Sequence, residues 1–463
     1  MDNLWLLTEE RPKPSVIKQI LDAYSSDFST SYHIVGEIKI KPIIKDNIFT
    51  FTYVVEGVRI SNIDKLYIKT VSGSSSFLDF LLFKQKDEPS ETGYATDNLI
   101  MAIEETKTSD DESRNTGVYQ RGSKFVYIQQ YYQSVKLYML YNEELEAREE
   151  KKPSDTSIFG TNILLTLGVK IIGKETSQWF SKFNTLDELI SFKNAMRKPP
   201  AGNVPITITK NDNEILVSGR LSKPAEEGNI GHDPNIGALA MISKCIRTLG
   251  WKKDIIITQH GVKQSYIDRT QGKNKFLYIC KILSLKMQGL TLPSTIELPE
   301  LYWHYEKESE KMASILVHVI ALYAGIHTVY ENHAGCERGY FRDKEGHLIT
   351  LPKKDRNGVN LYLPDCVLYD GNSNHVLLIE GKKIDTIKAG LEEIQLYDSI
   401  EEEFIKPHYP NASITRCLSI FGGDLNQLPN EKVLIYVNDG GRVIFNQHLT
   451  PQFLRDAFES VQS

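Results

Sequence analysis

Residues 361–383 contain two short apolar runs that are separated by an Asp-Gly-Asn turn. Two apolar runs joined by such a turn predict a β-hairpin. Pairing about the turn brings Asp365, which precedes the first run, close to Glu380, which ends the second. Because Glu380 and Lys382 are two positions apart on a strand, their side chains leave the same face. The pattern therefore predicts two carboxylates and one lysine at one end of the hairpin.

A similar pattern occurs in the N-terminal part of the chain. The apolar run 77–83 contains Asp79, and the run 99–103 is followed by Glu105 and Lys107. A carboxylate and a lysine again stand two apart at the predicted end of a strand, with an aspartate on the preceding strand. Mg²⁺ takes carboxylates and water as ligands, and a neighbouring lysine can orient an attacking water. The chain therefore carries two candidate metal sites.

The two copies share one spacing and differ in another. Gln120 follows Glu105 at the same spacing at which Gln395 follows Glu380, and both glutamines lie in polar stretches that predict helices. The aspartate and the glutamate are farther apart in the N-terminal copy than in the C-terminal copy, and Asp97 is closer to Glu105 than Asp79 is. Either Asp79 or Asp97 can therefore serve the N-terminal site.

The sequence Pro364-Asp365, followed by Glu380-Gly381-Lys382, resembles the active-site signature of the PD-(D/E)XK nucleases. That superfamily includes most type II restriction endonucleases, Holliday-junction resolvases and repair nucleases. The resemblance implies that Asp365 and Glu380 bind Mg²⁺, for which Mn²⁺ can substitute. It also implies that Lys382 orients or activates the attacking water.

For the N-terminal copy, the resemblance implies that Asp79 and Glu105 are the metal ligands and that Lys107 is the lysine of the site. It further implies that Gln120 and Gln395 help to position the two sites or contact DNA. Two sites in one chain suggest one site for each DNA strand. A monomer would then suffice to cut both strands, if both sites are active.

Plainer interpretations of both copies stay open. Glu380 and Lys382 also suit a salt bridge on a surface hairpin. Residues 104–107 also suit a polar strand end that is followed by an acidic loop. A nuclease-like fold that has lost its activity is a further interpretation of the N-terminal copy.

Residues 244–286 carry ten Lys or Arg residues against two Asp, a net charge of +8 within a chain of net charge −6. Gln264, Arg269, Gln271 and Asn274 lie in this stretch and can reach base edges. Basic side chains against phosphate are typical of duplex binding, and a solvated basic face explains the charge equally well. The candidate DNA-binding residues are Lys252, Lys253, Lys263, Arg269, Lys273 and Lys275.

The chain has 463 residues, which predicts two or three domains. We expect a nuclease-like domain at 1–150, a DNA-recognition region at 151–290 and a nuclease domain at 291–463. We expect no membrane span, secretion signal, zinc site or nucleotide cofactor, because no matching pattern is found. The five cysteines are scattered along the chain, which favours a reducing cytoplasm.

The sequence thus predicts a mixed α/β protein with two PD-(D/E)XK-like mixed sheets, flanked by helices, and a DNA-recognition region between them. The predicted function is that of a Mg²⁺-dependent type II restriction endonuclease that cuts both strands of double-stranded DNA. One alternative is a repair or junction-resolving nuclease that recognises DNA structure. The other is a DNA-binding protein in which a nuclease fold has degenerated.

Overall fold

The computed structural model describes most of the chain, and the chain divides into two compact units. Unit 1 comprises Met1–Gly73, Leu82–Thr92 and Tyr305–Ser463, and unit 2 comprises Ser74–Leu81 and Gly93–His304. The described residues are 1–73, 78–90, 97–106, 117–132, 134–141, 154–173, 179–196, 206–221, 228–230, 234–297, 305–306, 310–332 and 340–462.

These units do not follow the predicted boundaries at residues 150 and 290. Residues 1–73 belong with the C-terminal residues in unit 1, because contacts distant in sequence hold them together. The ring of Phe51 packs edge-on against Phe421, with centroids 5.9 Å apart. The Phe49 amide donates a hydrogen bond to the Gly441 carbonyl at 2.8 Å. A boundary drawn from the sequence follows chain order, whereas a compact unit follows packing.

Strands occur along the whole described chain. In chain order they are β1 (Asp2–Thr8), β2 (Tyr32–Lys45), β3 (Ile48–Ile60), β4 (Ile63–Thr70), β5 (Ser72–Gly73), β6 (Phe80–Gln85), β7 (Leu99–Thr106), β8 (Lys136–Tyr141), β9 (Lys170–Ile172), β10 (Thr207–Lys210), β11 (Glu214–Arg220), β12 (Asp254–His260), β13 (Leu285–Met287), β14 (Tyr305–Glu306), β15 (His327–Glu331), β16 (Tyr340–Arg342), β17 (Leu348–Thr350), β18 (Cys366–Asp370), β19 (His375–Lys383), β20 (Ser413–Phe421), β21 (Val433–Val437) and β22 (Val443–Phe445).

The helices alternate with these strands. In chain order they are α1 (Pro14–Asp27), α2 (Gly117–Tyr131), α3 (Asp155–Thr166), α4 (Leu186–Ala195), α5 (Pro234–Thr248), α6 (Gln264–Thr270), α7 (Lys275–Ile282), α8 (Met312–Tyr323), α9 (Ile387–Glu393), α10 (Asp398–Ile400), α11 (Lys406–His408) and α12 (Gln452–Val461). Helical turns join α9, α10 and α11 without a break. None of the helices in the described part of the chain combines the length and the apolar character that crossing a membrane requires.

Unit 1 contains a six-stranded mixed sheet in the order β15-β18-β19-β20-β21-β22. The central strand β19 pairs in antiparallel fashion with β18 and in parallel with β20. Residues 376–379 of β19 are fully buried, which explains their continuous apolar run, since both faces of the sheet are covered. The helix α8 packs on one face, and α9 packs against β19 and β20.

Unit 1 also contains the N-terminal strands. The order of hydrogen-bonded strands is β2-β3-β4-β1, with β1 and β4 parallel and the other pairs antiparallel. The long hairpin of β2 and β3 packs against α8 and α12. A short antiparallel pair joins β5 to β14.

Unit 2 contains parallel pairing of β7 with β8 and of β8 with β9. It also contains a four-stranded sheet in the order β10-β11-β12-β13, in which only β10 is antiparallel to its neighbour. Helices α2, α3 and α5 pack against one another. Mixed sheets and helices in both units confirm the predicted mixed α/β class.

Candidate active site

The predicted hairpin is confirmed in its register. Strands β18 and β19 pair antiparallel from Cys366 opposite Ile379 to Asp370 opposite His375. Asp365 therefore stands just before the last pair on one strand, and Glu380 just after it on the other. The Asp370 carboxylate holds the turn by accepting a hydrogen bond from the Ser373 amide at 2.7 Å. Local pairing alone thus brings the two carboxylates to one end of the hairpin.

Asp365 is buried and held by two donors. The Gly381 amide donates to its Oδ2 at 2.9 Å, and Lys311 Nζ lies 2.9 Å from its Oδ1. Lys311 directly precedes α8, and its side chain also donates to the Asn332 carbonyl at 2.7 Å. The sequence pattern does not reveal Lys311, because it is distant from Asp365 along the chain and reaches the site only through the packing of α8 on the sheet.

Glu380 is also buried, and each of its oxygens has a donor. Lys382 Nζ lies 2.7 Å from Oε1, and the Tyr397 hydroxyl donates to Oε2 at 2.5 Å. Lys382 also contacts Glu393 Oε2 at 2.7 Å, on the helix α9 that follows the strand. Lys382 therefore bridges two carboxylates, and the predicted approach of Glu380 to Lys382 is confirmed.

The charges at this site act strongly on one another. Burial, together with the negative charge of Asp365, raises the pKa of Glu380 to about 7, although hydrogen bonds from Lys382 and Tyr397 oppose the rise. Burial alone would lower the pKa of Lys382, but its hydrogen bonds to Glu380 and Glu393 outweigh burial and raise it. Lys382 is therefore a protonated donor at neutral pH and not a free base.

Two glycines make room for this arrangement. A Cβ at Gly381 would lie 2.9 Å from Asp365 Oδ2 and 3.1 Å from the Glu310 carbonyl oxygen. A Cβ at Gly390 would lie 2.7 Å from Lys382 Cγ. The glycine between Glu380 and Lys382 is thus required by the close approach of backbone and carboxylate.

The donor set fits a hard divalent cation. Asp365 and Glu380 offer carboxylate oxygens, which are the ligands that Mg²⁺ prefers, together with water and phosphate. Burial first and the charge of Asp365 second raise the pKa of Glu380, and a bound cation would favour its ionised form. A protonated lysine beside the carboxylates can donate to a water or to a phosphate oxygen.

Gln395 is predicted to position the site or to contact DNA, and both roles stay predictions. Its side chain is exposed, and its carbonyl accepts a 3.4 Å hydrogen bond from Arg416. Tyr397, two positions further on, is the buried residue that contacts Glu380. The sequence shows this tyrosine close to the glutamine. Which of the two side chains faces Glu380 is decided by how the helical segment packs on the sheet.

The N-terminal candidates are brought together only in part. Asp79 Oδ2 accepts a 2.6 Å hydrogen bond from the backbone amide of Glu105. The neighbouring Glu104 is fully buried, and Lys124 of α2 lies 2.9 Å and 3.0 Å from its two oxygens. Sequence reasoning missed Glu104 and Lys124, because the lysine lies on the next helix and not on the strand.

Two other N-terminal predictions lie outside the described residues. Lys107 is one, and the side chain of Gln120 in α2 is the other. Asp97, the alternative aspartate, lies just before β7, at the end of the strand opposite Glu105. Asp79 is therefore the aspartate that reaches the glutamate end of β7.

The candidate basic residues of 244–286 fall into two groups along the chain. Two of the candidates precede β12 and four follow it, so that a seven-residue strand of roughly 20 Å separates the groups. Lys253 Nζ donates to the Asp212 carbonyl, and Arg269 donates to Asn229 Oδ1 at 3.0 Å. The group before the strand contains Lys252 and Lys253, and the group after it contains Lys263, Arg269, Lys273 and Lys275.

Two side chains with the potential to read bases are engaged within the protein. Gln264 donates to the Thr291 carbonyl at 3.0 Å and to Asp268 at 2.8 Å. Asn274 caps α7 by accepting from the Phe276 amide at 2.9 Å. Their amide groups stabilise loops and helix ends, which leaves direct base reading by these two residues without structural support.

Among the described residues, one further cluster has metal-ligand character. Asp343, Glu345 and His347 place ligand atoms within 4.8 Å of one another on the hairpin of β16 and β17. Asp343 already accepts hydrogen bonds from the amide and Nδ1 of His347, at 2.8 Å and 3.0 Å. These hydrogen bonds stabilise the turn between β16 and β17, which explains why the three side chains lie close together. The cluster includes none of the predicted metal ligands.

Comparison of the chain with models of protein families, with curated proteins and with solved structures found no match. Function is therefore inferred from the residues and the geometry of the site.

Proposed function

We propose that this protein is a Mg²⁺-dependent DNA endonuclease of the PD-(D/E)XK type that hydrolyses phosphodiester bonds, most similar in kind to a type II restriction endonuclease. One observation carries the proposal. Asp365, Glu380 and Lys382 meet at the end of a buried hairpin, with Asp365 bound to the amide between the other two. A surface salt bridge would need neither the burial of both carboxylates nor the glycine between Glu380 and Lys382.

In this proposal, Asp365 and Glu380 hold the metal ion, which supplies charge neutralisation at the phosphate and a bound water. Lys382 is kept protonated by Glu380 and Glu393, so that it donates a hydrogen bond to the attacking water or to a phosphate oxygen. Tyr397 fixes the orientation of Glu380, and Lys311 fixes that of Asp365. Positioning and charge neutralisation account for the catalysis, since a phosphodiester needs little covalent assistance.

The proposed substrate is double-stranded DNA. Lys263, Arg269 and Lys273 follow β12 within a short stretch of chain and are exposed, and basic side chains of this kind bind phosphate groups. The engagement of Gln264 and Asn274 inside unit 2 favours a second candidate function. That candidate is a repair or junction-resolving nuclease of the same type, which recognises DNA structure in place of sequence.

Replacing Lys382 tests the proposal directly. Lys382→Ala should lose double-strand cleavage of plasmid DNA by about 100-fold or more, because the donor to water and phosphate is gone. DNA binding should be retained. The matched control is Lys388→Ala, which removes an exposed lysine on the neighbouring helix α9.

Cleavage of plasmid DNA with Mg²⁺ and gel-shift binding in its absence measure the two properties. Unchanged cutting by Lys382→Ala would rule out the proposed site. Sequencing the ends of the products separates the two candidate functions, since a restriction endonuclease leaves every end at a fixed distance from one recurring sequence and a structure-specific nuclease does not.

A further inference from the structure

We propose that unit 2 contains a second phosphodiester-cleaving site formed by Asp79, Glu104 and Lys124. This inference rests on the proposed function, and it names residues other than the Glu105 and Lys107 that the sequence signature selects. It depends on the hydrogen-bonding register of β7, on the position of α2 and on a comparison with the site in unit 1.

The register gives the first step. In unit 1, the aspartate carboxylate accepts from the amide of Gly381, the residue directly after Glu380. In unit 2, the Asp79 carboxylate accepts from the amide of Glu105 at 2.6 Å. Glu105 is therefore the counterpart of Gly381, and the residue before it, Glu104, is the counterpart of Glu380.

The faces of the strand give the second step. Adjacent residues on a strand project to opposite faces, so Glu104 and Glu105 cannot both face the helix that follows β7. Glu104 contacts Lys124 of that helix, α2. In unit 1, Lys382 contacts Glu393 of the following helix α9 and bonds to Glu380 on the same strand face. Glu104 thus occupies the face that carries the site.

The lysine gives the third step. The counterpart of Lys382 on β7 is Thr106, which has no charge to offer. Lys124 instead brings an ammonium group to 2.9 Å and 3.0 Å from the two oxygens of Glu104. Lys382 makes the equivalent contact to Glu380 at 2.7 Å. The same pair of chemical groups is therefore assembled from the strand in unit 1 and from the helix in unit 2.

The surroundings of Lys124 also suit an anionic ligand. The charge of Lys124 is close enough to Lys275 of α7 to lower the pKa of that residue, in addition to the larger effect of burial. The Lys124 side chain is 18% exposed, so that its end of the pair is accessible although Glu104 is fully buried. A partly exposed ammonium group can donate charge-assisted hydrogen bonds to a phosphate group.

The plainer explanation is a structural ion pair that anchors α2 to β7. The double variant Glu104→Gln/Lys124→Met separates the two explanations, because it removes both charges of the pair together and leaves no unpaired buried charge. A structural pair predicts that a folded double variant cuts both strands. The second site predicts that one strand is cut at least about 100-fold more slowly, so that plasmid accumulates as nicked circles.

The matched control is Asp187→Asn/Lys210→Met, which removes another ion pair of unit 2 and should cut both strands at the wild-type rate. Glu105→Gln tests the assignment that the sequence signature makes, since Glu105 lies on the same strand as Glu104 and is buried to a similar extent. Lys124→Arg is the second variant, since arginine can keep a bidentate ion pair but replaces the ammonium group. Lys124→Arg should fold as the wild type does, but, like the double variant, it should cut only one strand. Full double-strand cutting by Lys124→Arg, or by a folded double variant, would overturn the inference.

Cleavage is measured on plasmid and on duplexes labelled on either strand, and folding by circular dichroism. Binding of Mn²⁺, counted by electron paramagnetic resonance of the free ion, gives a readout that does not depend on cutting. The double variant should lose one binding equivalent, and the control Asp187→Asn/Lys210→Met should lose none. Failure of the proposed function looks different, because the wild-type protein would then cut neither strand. Loss of cutting in Glu105→Gln alone would restore the assignment to Glu105 and overturn this one.

Discussion

The hairpin of unit 1 and the strand β7 of unit 2 hold the same kinds of group in different ways. In both, an aspartate binds the backbone amide of the residue that follows a buried glutamate. In unit 1 the ammonium group comes from Lys382, two positions along the strand, whereas in unit 2 it comes from Lys124 on the next helix. We therefore expect backbone register to identify the equivalent glutamate more reliably than a linear signature does.

The residue after the glutamate also differs between the two regions. It is Gly381 in unit 1, where a Cβ would approach Asp365 Oδ2 to 2.9 Å, and Glu105 in unit 2. The backbone at β7 therefore accepts a side chain that the backbone at β19 cannot accept without moving its neighbours. This difference offers the most sensitive test of how closely the two sites correspond.

The largest effect is expected from Gly381→Ala. The added methyl group must displace the Asp365 carboxylate or the Glu310 carbonyl, and a small misplacement of reacting groups costs about 100-fold in rate. We expect loss of the cut made by unit 1 and retention of the other cut. Strand-specific cleavage assays measure this, with Gly371→Ala in the turn of the same hairpin as the control. Equal cutting of both strands by Gly381→Ala would contradict the claim that the site in unit 1 depends on a glycine at this position.

The pH dependence of stability gives a smaller effect. The pKa of Glu380 is about 7 in the folded protein, above its ordinary value of 4.5. The folded chain holds this proton more tightly than the unfolded chain, so the stabilisation is fully present below pH 4.5 and is lost as the pH rises through 7. We expect the free energy of unfolding of the metal-free protein to fall by about 3 kcal/mol across this window.

Denaturant unfolding at a series of pH values in the presence of a chelator measures this fall. Glu380→Gln should remove it, because glutamine does not titrate in this range. Mg²⁺ should restore stability at high pH, since it binds the ionised carboxylate. If the stability of the wild type depended on pH as little as that of Glu380→Gln, Glu380 would not have a raised pKa in the folded protein.

The smallest effect is expected from Tyr397→Phe. The tyrosine holds one oxygen of Glu380, whereas Lys124 contacts both oxygens of Glu104. Loss of one hydrogen bond of about 1 kcal/mol should slow the unit 1 cut by about fivefold and leave the unit 2 cut unchanged. Single-turnover rates for each labelled strand measure the effect, with the exposed Tyr362→Phe as the control. Equal slowing of both cuts would contradict the assignment of Tyr397 to one site.

The C-terminal site could largely be predicted because it is local. Asp365, Glu380 and Lys382 lie on one hairpin, and the turn at Asp370 sets the register that brings them together. The proposed N-terminal site could not be predicted to the residue, because Glu104 and Glu105 are both carboxylates. Only the hydrogen bond that Asp79 accepts from the Glu105 amide and the contact of Lys124 with Glu104 distinguish them. The shared spacing from glutamate to glutamine did not point to Tyr397, which contacts Glu380 in unit 1.

The sequence by itself determined the mixed α/β class, the hairpin and the meeting of two carboxylates with a lysine at its end. These features follow from apolar periodicity and turn chemistry, which act over short stretches of chain. Only the tertiary structure decided that residues 1–73 join residues 305–463 in one unit, that Lys311 and Tyr397 complete the site and that Lys124 stands beside Glu104. The physical reason is that helix packing brings distant residues together, and its geometry depends on the shape of the whole core.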